Sequence, residues 1–150
     1  MKPISVGVTA QRTGATPARV RRPTSSGRLT AKARLLEAWS SERSQARVAR
    51  ERGDLAGEWS HLERAHILSQ PMVVPHVRTH LAMISCAFRR RDGREVAGQL
   101  MRLVLAAPGS LTGRYPVGNT GGADVSAFLP MPIPDDLRAI LDDARSQRDD

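Results

Sequence analysis

Aromatic side chains are nearly missing from this chain of 150 residues, which has two Trp, one Tyr and two Phe. A surface that stacks nucleic-acid bases needs rings interleaved with cations, so their scarcity disfavours that class of partner. It also leaves Leu, Val, Ile, Met and Ala to build the core. Cysteine is reduced to Cys86, which excludes an internal disulfide and agrees with a reducing compartment. No apolar run reaches the roughly 18 to 20 residues of a membrane-spanning helix, and the first residues lack the apolar stretch of a secretory signal. A cytoplasmic protein without a membrane partner is the expectation.

Acidic residues are absent from residues 1–30, where Lys2, Arg12, Arg19, Arg21, Arg22 and Arg28 account for six of the formal net charge of +8. The rest of the chain is therefore close to neutral, and the basic character belongs to a tail. Residues 1–28 are rich in Ser, Thr, Gly, Pro and Arg with little apolar periodicity, so they are expected to stay flexible outside a single domain at 29–147. An extended basic arm attracts polyanions, but without a recognisable motif nucleic acid is the least favoured partner.

Helical periodicity begins at Thr30, where Leu35, Leu36, Trp39, Ala46 and Ala49 recur until Gly53, predicting a helix over 30–52. Asp54 can cap a second helix over 54–69, which carries Leu55, Trp59, Leu62 and His66 and stops at Gln70-Pro71. Pro75 suits the first turn of a third helix over 75–91, with Val77, Leu81, Ile84 and Phe88 as its expected buried stripe. Asp92 and Glu95 have capping-box spacing before a fourth helix over 93–107, built on Val96, Leu100, Leu103 and Ala107 and ended by Pro108. A Gly/Pro segment follows, too apolar for a linker, which predicts an ordered loop over the helices. Pro134-Asp135-Asp136 opens a fifth helix over 134–147. No useful β-alternation is present, so the fold class is all-α, with about five helices in antiparallel hairpins.

A shift of 38 residues aligns Asp54, Leu62 and Arg64 with Asp92, Leu100 and Arg102, and the stretch from Gly53 to Ala65 resembles a tetratricopeptide (TPR) unit. That resemblance implies a TPR-like arrangement and a groove for a protein or peptide partner. Glu58 stands where the repeat wants a small residue, and two units are fewer than a solenoid normally uses.

All four histidines fall between His61 and His80. On a helical wheel with Glu58 at zero, His66 lies at about 80°, inside the apolar face, Glu63 at about 140° on its edge and His61 at about 300° on another face. His76 and His80, four residues apart, share one side of the next helix, as a chelating pair requires. If a short turn near residue 72 makes the two helices antiparallel, residue 66 stands level with residue 78, between the pair. Glu63, His66, His76 and His80 are thus the candidate ligands of a divalent transition metal. The set suits Zn, Fe, Mn, Ni or Cu(II), and the lack of a nearby thiolate disfavours Cu(I). Glu58, Gln99 and Arg102 are candidates for supporting these ligands or binding an anion, although such residues more often form a solvated flank. The two Glu-x-x-His motifs at 58–61 and 63–66 overlap on one helix, unlike the paired motifs of di-iron bundles. Against the metal stands the plain reading of histidines hydrogen-bonded in a helical core.

The segment Gly113 to Thr120 imitates a Walker A loop, but Asn119 replaces the phosphate-binding Lys and no strand precedes it, so no nucleotide is expected. Its glycines read as a turn with positive φ. Cys86, away from the expected inner stripe and without a base beside it, reads as a packing residue.

In combination, Leu62-Glu63-Arg64-Ala65-His66, Ser69-Gln70, His76, His80, Gly98-Gln99, Arg102, Tyr115–Gly121 and Met131-Pro132-Ile133-Pro134 resemble a bacterial family of unknown function across residues 45–141. The resemblance implies a small single-domain protein and carries no catalytic residue with it. The reading is a small metal-binding protein with a His/Glu site on a helical hairpin, its reaction open. The alternative is a TPR-like interaction module with structural histidines.

Overall fold

The computed structural model describes residues 25–146, with side chains from residue 31 onward. Five helices and no strand occur among the described residues: α1 (Ser25–Glu51), α2 (Leu55–Ser69), α3 (Val73–Arg89), α4 (Gly93–Thr112) and α5 (Asp135–Ser146). The expected basic tail falls outside the described residues up to 24, and residues 25–28, assigned to it from composition, open α1.

Turns of three residues join α1 to α2, α2 to α3 and α3 to α4, and each of these pairs packs together. So short a link between packed helices runs them antiparallel. The turns follow from local chemistry. Gly53 takes φ +75°, the left-handed value that ends α1. The Asp54 carboxylate accepts from the Gly57 amide at 2.8 Å and starts α2. Asp92 caps α4 through the Glu95 amide at 2.9 Å, but Glu95 does not complete a capping box, because its own carboxylate accepts from Gln99 and from the Ala123 amide.

Helix α5 packs on α1 and α2. Leu35, Ile67, Leu68, Leu137 and Leu141 form the core there, and Ala46, Leu62, Met83 and Cys86 form a second cluster between α1, α2 and α3. A polar network ties α1, α2 and α5. Glu42 accepts from Arg64 at 2.7 Å and pairs with His61 at 2.8 Å, and Arg64 also reaches Asp136.

Helices α3 and α4 differ from the sequence expectation. Leu81, Phe88 and Leu100, placed in buried stripes by their spacing, are exposed. The inner face of α3 is made instead by His76, Thr79, His80, Met83, Cys86 and Ala87. That of α4 is made by Glu95, Gln99, Arg102, Ala106 and Ser110. Cys86 is therefore fully buried, not set away from the core. Burial lifts its thiol to about 11, in keeping with packing and not with nucleophilic chemistry. Helix α4 also runs through Pro108 to Thr112. Proline removes one main-chain donor, but here it lies on the exposed face, where water can take the carbonyl freed one turn earlier.

Candidate metal centre

Three imidazoles from the α2–α3 hairpin meet at its closed end. His66 of α2 and His76 and His80 of α3 are each at least 95% buried, and their ring centroids lie 4.8, 4.8 and 4.9 Å apart. One nitrogen from each ring lies within 4.8 Å of one from each of the others. The hairpin register explains the meeting, since His66 stands between the two α3 histidines in height.

The outward nitrogen of every ring is held by an oxygen. His66 Nδ1 lies 2.8 Å from the Asn119 main-chain carbonyl, His76 Nδ1 lies 2.7 Å from Ser110 Oγ, and His80 Nδ1 lies 2.7 Å from Gln99 Oε1. Each of these oxygens is limited to accepting. A carbonyl has no proton. Ser110 spends its hydroxyl proton on the Gln70 carbonyl at 2.7 Å. Gln99 is oriented by its NH2 group, which donates to Glu95 Oε1 at 2.7 Å and to the Gly121 carbonyl at 2.6 Å, so its oxygen must face His80. All three rings therefore carry their proton on Nδ1, and all three Nε2 lone pairs are bare.

The His66 and His76 Nε2 atoms are 3.0 Å apart. With no proton between them this is a repulsive contact, which a cation bound to both would remove. The interior keeps the rings neutral. His66 is driven well below the ordinary imidazole value by burial and by its two ring neighbours. His76 falls to about 3 through burial and the nearness of His80. His80 is lowered by burial, despite the Gln99 hydrogen bond that opposes it. Neutral imidazole is the ligand form. Two nitrogens on one ion can stand no more than about 4.2 Å apart at about 2.1 Å per bond, so small ring rotations suffice to close the set. The cluster is geometrically consistent with a divalent transition metal.

The loop between α4 and α5 lies over the rings. Asn119 is buried, its amide donating to the carbonyls of Ser126 at 2.7 Å and Leu129 at 2.9 Å while its side-chain oxygen accepts from Gly121 N. Gly121 has φ +86°, and a Cβ there would lie 2.8 Å from the His66 ring, so only glycine lets the backbone pass so close. Gln70 binds the loop to the end of α2 by donating to the Pro116 carbonyl at 2.8 Å.

Of the four expected ligands the structure groups three. Glu63 stays outside the cluster, where its half-buried carboxyl lies beside Trp59 and is raised above its usual range by burial, with Asp124 and Glu95 adding to the effect. The groups that act on it are Trp59, Asp124, Glu95 and Arg90, none of them a member of the histidine cluster. Glu58 is also elsewhere, buried against Arg89 in the groove between α1 and α3. Gln99 and Arg102, for which a solvated flank was the more usual expectation, are both buried. Ser110 and Asn119 were not foreseen. Ser110 lies only about 20° from Gln99 on the wheel once α4 is allowed past Pro108. Nothing in the spacing of the loop marks Asn119.

Beside the rings a cavity of about 320 Å³ opens, walled by Leu105, Ala106, Pro116 and Phe128, with Arg102 and Tyr115 among its polar residues. No described helix is long and apolar enough to cross a membrane. Among known proteins, no curated protein and no solved structure matches the chain. Residues 33–141 match the family described as Protein of unknown function (DUF3703).

Proposed function

We propose, for a chain that belongs to the DUF3703 family and takes no activity from that family's description, that it is a metal-binding protein whose single ion is held by His66, His76 and His80. The observation that carries this reading is the convergence of three bare Nε2 atoms whose tautomers are fixed from behind, the arrangement that outer hydrogen bonds give to metal-ligating histidines. The three rings are also lining residues of the cavity. An ion with three protein ligands and a position left for water or a second ligand is of the catalytic type; a closed four-ligand structural site would leave no such position. Glu63, first in the expected ligand set, is left out because its carboxyl is not with the rings. Zinc, iron, manganese, nickel and Cu(II) all accept imidazole, and the donor set does not choose among them.

Elemental analysis of the full chain, purified without a histidine tag, tests the proposal. The expected result is close to one transition-metal ion per chain, lost in His66→Ala and in the milder His80→Gln. Failure of the wild-type chain to bind any of these ions stoichiometrically, on isolation or after reconstitution, overturns it. That failure would favour the second reading, a TPR-like interaction module. This alternative draws support from the apolar outer face of α4, where Leu100, Met101, Val104 and Leu111 are exposed.

A further inference from the structure

Arg102 is 92% buried, yet no carboxylate among the described residues pairs with it. Its Nη2 donates to the Gly122 carbonyl at 2.7 Å and to the Val125 carbonyl, while Nε is buried without an acceptor and Nη1 has no protein acceptor among the described residues. Of the two acids that act on it, Glu95 and Asp124, the first has both oxygens engaged by Gln99 and the Ala123 amide. An unpaired buried guanidinium is costly, and here it lines the same cavity as the three rings and stands near enough to oppose the protonation of His66 and His80.

Resting on the metal reading above, the balance of charge becomes specific. A divalent ion on three neutral imidazoles beside Arg102 gathers three positive charges, against which Glu95 and Asp124 supply two negative, and Arg114 adds a further cation to the cavity wall. Two fixed cations facing one cavity favour an anion between them. The remaining walls are mostly hydrocarbon, contributed by Leu105, Ala106, Pro116 and Phe128. A bare inorganic oxyanion would leave that surface unused.

We infer that the cavity takes a small organic carboxylate, its oxygens shared between the ion on His66, His76 and His80 and the Arg102 guanidinium, its apolar body lying against Leu105 and Phe128. Arg102 is thus a ligand-binding residue and not a metal ligand. Planar guanidinium suits a carboxylate, and an ion-bound oxygen fixes the other end of the group.

The test uses the full chain loaded with Co(II), whose visible spectrum reports exchange of its non-protein ligands. Benzoate is expected to change the spectrum saturably, and benzamide of the same shape is expected to leave it unchanged. Arg102→Gln should weaken benzoate at least tenfold while still holding one Co(II) per chain, and Arg102→Lys should fall between. A wild-type chain that binds Co(II) stoichiometrically but responds equally to both compounds, or to neither, overturns the carboxylate inference and leaves the metal reading intact. Inorganic phosphate displacing benzoate at equal concentration overturns it as well, since the apolar walls would then contribute nothing. Absence of Co(II) binding removes the metal reading and this inference with it. If Arg102→Gln does not fold, the benzoate–benzamide comparison on the wild-type chain still decides.

Discussion

Replacing Ser110 by alanine removes one hydroxyl that touches no ion and yet should weaken metal binding. The Ser110 oxygen accepts the His76 Nδ1 proton at 2.7 Å, and its own proton goes to the Gln70 carbonyl at 2.7 Å. In the metal-bound chain His76 must keep that proton on Nδ1, because Nε2 is on the ion, so the variant leaves a buried donor with only the Ala106 carbonyl nearby, to which it makes no well-aligned hydrogen bond. Leaving such a group unsatisfied costs about 1 to 3 kcal/mol. Without metal, His76 has an escape: it can move the proton to Nε2 and donate to His66 Nε2, 3.0 Å away. Most of the penalty therefore falls on the bound state, and affinity should drop about 10- to 100-fold, the range usual for loss of an outer hydrogen-bond partner. Competition against a chromophoric chelator measures the affinity, and imidazole nitrogen shifts in the metal-free chain report the tautomer. Affinity within threefold of wild type, with His76 still protonated at Nδ1, would refute the claim that Ser110 sets this ring.

Acid should unfold the metal-free protein early. His76 titrates near 3 when folded against about 6.5 when unfolded, so the unfolded chain binds more protons between these values. Its contribution is complete above about pH 6.5 and is lost as pH falls, by about 1.4 kcal/mol per pH unit, with His66 and His80 shifted in the same direction. Denaturant midpoints at pH 7 and pH 5 should differ clearly, and equal midpoints would count against neutral burial of the cluster. Gly121→Ala should lower both stability and metal affinity, since its Cβ would stand 2.8 Å from the His66 ring on a backbone with φ +86°; a variant with wild-type affinity would show that the loop does not press on that ring. Glu63→Gln should keep metal affinity within about threefold, because an interaction it does not make cannot be lost; a tenfold loss would return Glu63 to the ligand set. Cys86, buried and with its thiol lifted to about 11, should react with a thiol reagent only on unfolding, and fast labelling of native protein would contradict that burial.

The fold class and the meeting of the histidines were legible because both rest on local rules. Gly53 and Asp54 mark one turn and Asp92 another, so the order of the helices could be read from capping chemistry. Antiparallel packing across the turn at Gln70 to Met72 then puts His66 between His76 and His80 whatever the details of the core. What could not be read was reach across the structure. The Asn119 carbonyl belongs to a residue 53 positions from His66. A main-chain acceptor leaves no mark in residue type, and the path of the irregular loop is set by distant contacts such as those of Gln70 and Glu95.

The errors of apolar patterning gather on α3 and α4, and a shared physical cause accounts for them. Patterning assumes that the apolar stripe faces inward, which placed Leu81, Phe88 and Leu100 in the interior. The protein turns these helices so that His76, Thr79, His80, Gln99, Arg102 and Ser110 go inside. Burying so many polar groups is unfavourable unless each finds a partner. Most do: Thr79 accepts from the Trp39 indole at 3.0 Å, Ser110 and Gln99 use both donor and acceptor, and the histidines use their outer nitrogens. Beside the cavity the groups left over are the three Nε2 atoms, which can only accept, and the Arg102 guanidinium, which can only donate; away from it, Glu58 Oε2 and Arg89 Nε are also buried without a partner. A core designed for stability alone would not retain acceptors facing acceptors beside an unpaired cation. Departures from pattern concentrate where function competes with folding, and here the two kinds of unsatisfied group call for complementary guests, a cation for the nitrogens and an anion for the guanidinium.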